Sequence, residues 1–319
     1  MGKYILRRIL IMIPLLLGVS FLTFTIINLI PGSPADIMRS DPKIKPGARE
    51  LLIKNMGLDK PWPERYVIWL GDLVRGDLGN SLHNRMPVTD RIKNVLPNTL
   101  ILTVSSLIIA LIVAIPLGVY SALRHRSGFD RSGTIIAVMF YSVPTFFLAF
   151  VLVDLFSLKL GWFPVGGMSN TRGGGGFMDR LHHLILPAMA LALVDIGGWS
   201  SYIRSQMLEV LGSDYIRTAR SKGLGDKPVL YGHALRNAFL PMLPVIGLSI
   251  PGLFGGAILI ESIFAWNGIG RLTLEAVDRR DYTLIMGTTM MFALLTMMSN
   301  LLVDVLQIML NPRLRSQVH

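Results

Sequence analysis

Six long apolar runs, separated by polar segments, organise the chain. Five of them carry no charge over 20 or more residues, and the sixth is interrupted once, by Asp195. About 20 apolar residues cross the ~30 Å hydrocarbon core of a bilayer as one helix. The pattern therefore predicts an all-α polytopic membrane protein with six transmembrane helices, at 9–30 and at about 100–123, 134–154, 184–203, 238–260 and 284–307.

The first and fourth runs differ from the others. The first follows a short basic tail over 1–8, as a signal peptide does, but its apolar run is too long for a signal. Pro31-Gly-Ser-Pro34 follows it in place of a cleavage site, so we expect a retained helix. The fourth run is the weakest prediction, because it contains Asp195, Gly197 and Gly198.

Composition agrees with a membrane protein. Hydrophobic residues make up 51% of the chain and charged residues 16%, with a mean hydropathy of +0.53. Soluble domains carry about 25% charged residues. Cysteine is absent, which excludes disulfides and thiolate metal sites.

The positive charges predict the orientation of the helices. The formal net charge is +11, and one side of the predicted membrane carries 14 Lys and Arg residues, in the tails and in the loops 124–133 and 204–237. The short loops of the other side carry 6. By the positive-inside rule both termini, including the tail 311–319, are cytoplasmic in a cell (inner) membrane. The basic surplus then reflects topology, and we do not expect a nucleic-acid partner.

The segment 31–97 is predicted to be a small extracytoplasmic domain of mixed charge. Short amphipathic helices are predicted over 48–56 and 64–75, the second with Tyr66, Trp69, Leu70 and Leu73 on one face. This domain is either a lid on the outer ends of the helices or a docking surface for a partner outside the membrane. The sequence leaves both interpretations open.

Candidate chemistry within the spans is sparse. No nucleophile–base constellation, Walker motif or metal-ligand spacing is present, so we predict neither an enzyme nor bound ATP or metal on this chain. Asp195 is an ionisable group at depth, which lines a substrate path or pairs with a hydroxyl or amide of a neighbouring helix. In the fifth span Pro244 and Gly252-x-x-x-Gly256 suit either a helix that lines a path or simple close packing.

The loop 206–237 is too long for a simple connection. Ser213 or Asp214 is predicted to cap a short helix that ends with Arg220 and Lys222 before Gly223. A second basic segment follows it. Such a helix either docks into a partner or lies on the anionic inner leaflet.

The residues of this loop carry a family resemblance. Tyr215-Ile-Arg-Thr-Ala-Arg-Ser-Lys-Gly223, followed by His233-Ala-Leu-Arg-Asn237, resembles the coupling loop of ABC-importer permeases of the dipeptide/oligopeptide and nickel branch. The superfamily pattern there is E-A-A-x-x-x-G, and Arg217 in place of Glu is typical of the peptide branch. Further matches are Leu6-Arg-Arg8, Pro31-Gly-Ser-Pro34, Gly57-Leu-Asp-Lys-Pro61, Gly76-Asp-Leu-Gly-Asn-Ser81, Arg280-Asp-Tyr282 and Asn311-Pro-Arg313. The family often has Trp-Pro-Gly-x-Gly where this chain has Trp266-Asn-Gly-Ile-Gly270, so the local turn there is expected to differ.

The resemblance implies a type I importer permease fold over about 95–304 and a set of partners. A second, similar permease would share the path, two ATPase subunits would hold ATP and Mg, and an extracytoplasmic binding protein would deliver cargo to 31–97 and 265–282. Tyr215 and Ile216 would fill an ATPase groove, while Ala219 and Gly223 would permit close approach. The implied coupling residues are Asp214, Tyr215, Ile216, Arg217, Thr218, Ala219, Arg220, Lys222, Gly223, His233 and Asn237, and the candidate path residues are Asp195, Pro244, Gly252 and Gly256.

The implied cargo is di- or oligopeptides. Uptake of nickel or a metal chelate is the alternative within the family, because the binding protein largely selects the cargo. A membrane enzyme or a self-sufficient secondary transporter is a more distant alternative. The first would need paired catalytic groups at depth, and the second more often has additional spans or internal repeats.

Overall fold

The described part of the chain is almost entirely helical. A computed structural model describes residues 2–29, 50, 54, 59–170 and 175–310. Within these ranges the only β pairing is an isolated bridge between Asn80 and Pro87, so the predicted all-α class is confirmed. The tail 311–319, the motif at 31–34 and, apart from residues 50 and 54, the predicted helix over 48–56 lie outside the described residues.

The helices follow the apolar runs but extend beyond them. Long helices predicted from the runs are confirmed at α1, α3, α6, α9 and α11, each apolar enough to cross a membrane. The α-helices are α1 (Gly2–Leu29), α2 (Trp62–Val74), α3 (Val88–Leu123), α4 (Gly128–Ser142), α5 (Thr145–Leu152), α6 (Phe177–Leu211), α7 (Asp214–Ser221), α8 (Arg236–Phe239), α9 (Met242–Ile263), α10 (Ile269–Asp278) and α11 (Tyr282–Leu310). Two π-helical segments, Val153–Lys159 and Pro228–Leu235, follow α5 and precede α8.

The third predicted span is not one straight helix. It is a pair, Gly128–Ser142 and Thr145–Lys159, bent by 109°. Pro144 causes the break, because proline lacks an N–H, clashes with the preceding turn and pushes the residue before it out of the helical region. Val143 is accordingly extended, with φ −94° and ψ 132°. The prediction of an unbroken helix over 134–154 is therefore wrong.

The described residues form two compact units. One contains Asn98–Asn267 and the end of α11 from Met298, and the other contains Gly2–Pro97 and Gly268–Met297. In the first unit α6 packs against α4, α5 and α9. In the 18-residue apolar stretch of α6, 56% of the residues are buried, against 28% in the corresponding stretch of α9. The span that looked weakest in the sequence is thus the centre of its unit.

The second unit is held together at Asp281, whose side chain is buried. Its carboxylate accepts hydrogen bonds from the Ser81 hydroxyl, from Leu82 N at 3.1 Å and from Leu284 N at 3.2 Å. Two of the family motifs, 76–81 and 280–282, therefore meet in space although they lie 200 residues apart. An apolar cluster of Val88, Ile92, Ile269, Leu272 and Leu284 packs in the same unit.

Gly197 permits the close contact between α6 and α4. A Cβ atom at this position would overlap the carbonyl oxygen of Ala137 and lie 3.2 Å from the backbone nitrogen of Tyr141. Backbone atoms of a packed helix cannot move aside as a side chain can. Gly198 differs, because a Cβ there would meet only the ring of Tyr141 at 3.4 Å, an ordinary contact.

We therefore expect Gly197→Ala to lower the apparent melting temperature of the purified protein by several degrees. Overpacking of this kind costs about 1–3 kcal/mol. Gly198→Ala is the matched control, and it is expected to leave the melting temperature unchanged or slightly raised, since Ala favours helix over Gly by about 1 kcal/mol. Equal melting temperatures for the two variants would contradict the packing argument.

Candidate functional site

The loop between α6 and α9 folds as the sequence predicts in outline. The helix α7 begins at Asp214, directly after Ser213, and ends at Ser221. The π-helical segment Pro228–Leu235 and the short α8 lead from it to α9. The predicted short helix and the basic segment after it are therefore present.

The predicted side-chain cap at the start of α7 is wrong. Ser213 occupies the N-cap position with φ −75° and ψ 152°, but no side chain caps the helix. The Ser213 hydroxyl instead donates to the carbonyl oxygen of Val210, at 2.6 Å. That carbonyl belongs to the last turn of α6 and also accepts from Ser213 N at 3.0 Å, so Ser213 closes the end of α6 instead of capping α7.

The predicted stop at Gly223 is confirmed. Gly223 has φ +80°, its N–H donates to Arg220 O at 2.9 Å, and Leu224 N–H donates to Ala219 O at 3.4 Å. This is the Schellman arrangement, which needs a left-handed residue that glycine adopts without strain. Apart from its two neighbours in sequence, none of the described residues has an atom within 4 Å of a Cβ placed at Gly223. The backbone conformation, not crowding within the chain, requires glycine here.

Ile216 faces the protein's own interior. Its side chain is 1% exposed and belongs to a cluster with Met207, Val229 and Ala234. The expectation that Ile216 fills a groove on a partner is therefore wrong, and the residue instead anchors α7 to its own chain. Tyr215, with 45% of its surface exposed, points away from this cluster.

The outward side of the loop combines basic and apolar groups. We call the exposed residues Tyr215, Arg217, Thr218, Arg220, Lys222 and Leu224 the coupling face. Asp214 lies beside it, with an oxygen 3.6 Å from Arg217 Nη1 in an exposed pair that contributes little to stability. His233 and Asn237 are also exposed, and the Asn237 amide donates to the carbonyl of His233 at 2.8 Å. Such a surface suits a partner with an apolar groove and an acidic rim.

A buried ion pair that sequence reasoning missed lies near this loop. Asp130, at the start of α4, is 2% exposed and accepts from Arg204 Nη2 at 2.8 Å, from Arg204 Nε and from Arg126 N at 2.8 Å. Asp130 lies just before the apolar run of α4, and Arg204 lies just after the apolar run of α6. The hydrogen bonds from the Arg204 guanidinium hold the pKa of the Asp130 carboxyl well below its usual range. The pair joins α4 to α6 seven residues before α6 ends.

The candidate path residues lie on α6 and α9. Asp195 is partly exposed, and it makes no hydrogen bond or ion pair with any described residue, so the alternative of a hydroxyl or amide partner finds no support there. Within the Gly252-x-x-x-Gly256 motif only Gly256 is a close contact, because a Cβ there would lie 3.2 Å from Leu191 Cδ2. Around a Cβ at Gly252, the described residues outside its own helical turn place no atom within 4 Å.

Beside these positions, one side-chain hydrogen bond joins α6 to α9 and a second joins α6 to the residue that precedes α9. Trp199 Nε1 donates to Ser249 Oγ at 3.3 Å, and the Tyr202 hydroxyl donates to Pro241 O at 3.3 Å. Pro244 lies in the first turn of α9, whereas Pro251 lies inside the helix. The backbone N–H donors that proline lacks are therefore missing at the start and in the middle of α9.

A second polar cluster surrounds the end of α9. Glu261 is fully buried and accepts from the Thr99 hydroxyl at 2.6 Å. Trp266 Nε1 donates to Asn98 O at 3.0 Å, and Asn98 Nδ2 donates to Asn267 O at 2.6 Å. Asn267 stands where the family often has proline, and the group that accepts from Asn98 is its backbone carbonyl, which proline also has. Nothing in the local sequence around Glu261 predicted this cluster.

The fold is that of an ABC-importer permease. The inward-facing structure of the MetNI methionine ABC transporter superposes with a TM-score of 0.56 over 69% of this chain and 96% of that one, at 14% identity. A second crystal form of MetNI gives 0.57 over the same share of both chains, also at 14% identity. These similarities establish the fold alone.

The family follows from sequence comparison. Residues 114–316 match the model of the binding-protein-dependent transport system inner membrane component, and residues 1–103 match that of its N-terminal part. The chain is 43% identical to the oligopeptide transport system permease protein AppB of Bacillus subtilis, over 98% of this chain and 99% of that one. It is 39% identical to the dipeptide permease DppB of Escherichia coli, over 99% of both, and 37% identical to the di/tripeptide permease DppB of Pseudomonas aeruginosa, over 99% and 100%. The chain belongs to this family of binding-protein-dependent transport permeases, and the predicted family is confirmed.

We expect Asp130→Asn to destabilise the protein by about 1.5–3 kcal/mol, the cost of losing hydrogen bonds to a charged group that is out of water. The thermal midpoint of the purified protein measures the effect. Asp154→Asn is the control, because Asp154 pairs with Lys159 at 2.6 Å but is 55% exposed. Exposed pairs contribute about 0–1 kcal/mol. A shift for Asp130→Asn no larger than that for Asp154→Asn would contradict the proposed importance of the buried pair.

Proposed function

We propose that this chain is a permease subunit of an ATP-driven importer that takes up di- and oligopeptides. The observation that carries the proposal is identity of 37–43% along nearly the whole chain to permeases named for oligopeptide, dipeptide and di/tripeptide transport. The nickel alternative has no such support among these relatives. Membership of a binding-protein-dependent transport family also disfavours a membrane enzyme and a self-sufficient secondary transporter.

The proposed assembly follows from the same relationship. A second permease would complete the translocation path, two ATPase subunits would hydrolyse ATP with Mg, and an extracytoplasmic protein would deliver the peptide. The asymmetry of Lys and Arg, 14 against 6 in the short segments, supports cytoplasmic termini and a cytoplasmic coupling loop. Segments 31–97 and 265–282 would then face the binding protein.

We assign the ATPase contact to the coupling face. Tyr215 and Leu224 supply exposed apolar area, while Arg217, Arg220 and Lys222 supply charge for an acidic rim. Exposed aromatic residues beside Arg are the side chains most enriched at protein interfaces. Asp214, Thr218, Ala219, Gly223, His233 and Asn237 complete the proposed contact region, and Ile216 supports it from inside.

Force applied to α7 has a direct route into the membrane helices. Ile216 anchors α7 in the cluster that contains Met207 of α6, and α6 is bound to α4 through Arg204 and Asp130. Closure of the ATPase pair would therefore move α7, α6 and α4 as one packed group. A rigid-body shift of packed helices around a fixed path is a known way of changing the side from which a site is open.

Asp195 is the proposed polar group of the path, with Pro244, Gly252 and Gly256 on α9. A carboxylate within a membrane helix is costly unless it faces a partner or a wet cavity. The described part of this chain offers Asp195 no hydrogen-bonding partner, which supports a position on the path or against the second permease.

Deletion of this chain is expected to abolish uptake of labelled di- and oligopeptides and to leave nickel uptake unchanged. Wild type should restore uptake, whereas Gly223→Val should restore about a tenth of it, since left-handed backbone strain of about 1–3 kcal/mol disorders the end of α7. Gly223→Asn should restore most of it, because Asn tolerates this conformation. Uptake is measured in a strain without redundant importers, at matched membrane levels of each variant.

Gly225→Ala is the matched control in the same loop, because Gly225 has no left-handed backbone and a Cβ there meets only Pro228 Cδ at 3.9 Å. Full uptake with Gly223→Val would reject the coupling assignment. Loss of nickel uptake with intact peptide uptake would reject the cargo. Equal loss with Asn and Val would mean that a partner's approach, not backbone conformation, requires glycine.

Asp195→Asn is expected to lower peptide uptake several-fold while the amount of assembled importer, measured by co-purification of the partner subunits, stays unchanged. The reason is that the amide keeps the size of the side chain but removes its charge. Loss of assembly in proportion to uptake would instead make Asp195 a contact to the second permease.

A further inference from the structure

Two arginines in the unit formed by Gly2–Pro97 and Gly268–Met297 have a left-handed backbone. Arg85 has φ +57° and Arg280 has φ +53°. Residues with a side chain are strained in this conformation, and glycine or asparagine usually occupies it. Backbone strain of this kind clusters at functional sites, where a particular side chain is needed. The two arginine side chains therefore require an explanation.

The end of α10 shows that the strain at Arg280 is avoidable. The backbone N–H groups of Arg280 and Asp281 donate back into the last turn of α10, at 3.0 and 2.8 Å. The same arrangement ends α2 and α7, where Gly76 and Gly223 take the left-handed position. Glycine would thus serve the backbone at the end of α10 equally well, and the side chain of Arg280 must supply the reason for arginine.

Neither guanidinium is used within the described part of the chain. Arg85 and Arg280 are exposed, and their side chains make no hydrogen bond, ion pair or ring contact with any described residue. Only their backbones are engaged, as when Arg85 N–H donates to Ser81 O at 3.0 Å. Packing and pairing within the chain therefore do not account for either side chain.

Asp281 fixes the two arginines relative to one another. It directly follows Arg280, and its carboxylate accepts from the Ser81 hydroxyl and from Leu82 N, at the start of the turn that contains Arg85. The turn is closed by backbone hydrogen bonds of Ser81, at 2.9 and 3.0 Å. Each arginine is thus held by a short, hydrogen-bonded segment attached to the same buried carboxylate, and one partner surface can contact both.

We propose that Arg85 and Arg280 bind carboxylates of the substrate-binding protein when it docks on the extracytoplasmic side. The inference rests on the proposed function, which supplies this partner and has 31–97 and 265–282 facing it. Arginine binds a carboxylate through paired hydrogen bonds whose geometry is specific, so a fixed backbone favours the contact. Met86 and Val277, 57% and 50% exposed, lie beside the two arginines and add apolar area. Met and Arg are both enriched at protein interfaces.

Acidic lipid headgroups are the other anions near these helices, and two observations disfavour them. The start of α11 is covered by protein, because none of residues 281–293 is exposed and exposure begins at Leu294. Lipid therefore does not surround the segment that follows Arg280. In addition, a long arginine side chain reaches a fluid headgroup from an unstrained backbone, so a lipid contact would not need the left-handed positions.

Asparagine separates the contact from the conformation, because it tolerates a left-handed backbone but lacks the guanidinium. Arg85→Asn and Arg280→Asn are each expected to raise the Kd of the purified binding protein for the importer in nanodiscs about tenfold, as loss of a central interface arginine does. The thermal midpoint of the importer should stay unchanged or rise slightly. Arg279→Asn is the matched control, because Arg279 is exposed and adjacent but has φ −88°, and it should change the Kd less than twofold.

The binding protein used is the one that restores peptide uptake by the wild-type importer in proteoliposomes. Failure of the proposed function would therefore show itself separately, as absence of wild-type uptake. Wild-type affinity in both left-handed variants would overturn the present proposal alone. An equal loss with Arg279→Asn, or a fall in thermal midpoint that parallels the loss of affinity, would also overturn it. A loss confined to nanodiscs that contain phosphatidylglycerol, and absent from those of phosphatidylcholine alone, would instead assign the arginines to lipid headgroups.

Discussion

The architecture depends on one constraint: a chain that crosses hydrocarbon must satisfy its own backbone hydrogen bonds. Helices meet it within one segment, which is why the apolar runs fold as long helices and why α6, despite its glycines, remains unbroken from Phe177 to Leu211. The exception at Pro144 is limited to a short break. The chain leaves the helix only for Val143 and Pro144 and starts again at once, with Phe147 N and Leu148 N donating to Pro144 O.

The same constraint explains where the polar side chains are. Asp130, Glu261 and Asp281 are buried, and each accepts hydrogen bonds from neighbouring segments near the end of a helix. A charge removed from water is tolerated when several donors surround it. The hydrogen bonds of these carboxylates therefore fix which segments meet at the helix ends. Apolar contacts between the helices are less directional, so they fix the relative position of the helices less strictly. Asp195 departs from this pattern, and that departure makes it the candidate path residue.

The coupling loop combines a fixed side with an accessible side. Ile216 holds α7 against its own chain, and Gly223 ends the helix in a defined conformation, so that the exposed residues between them are presented rigidly. For the proposed contact with an ATPase, rigid presentation would matter, because a flexible surface would absorb the displacement.

The sequence by itself determined the features that depend on neighbouring residues. The apolar runs predicted the long helices, the Ser213 to Gly223 pattern predicted the bounds of α7, and the ordered motifs predicted the family. Only the tertiary structure decided that Ile216 points inward, that Gly197 rather than Gly198 touches another backbone, and that Asp130 meets Arg204 and Ser81 meets Asp281. The physical reason is range: helix formation is set by periodicity over a few residues, whereas these contacts join segments up to 200 residues apart and exist only once the helices have packed.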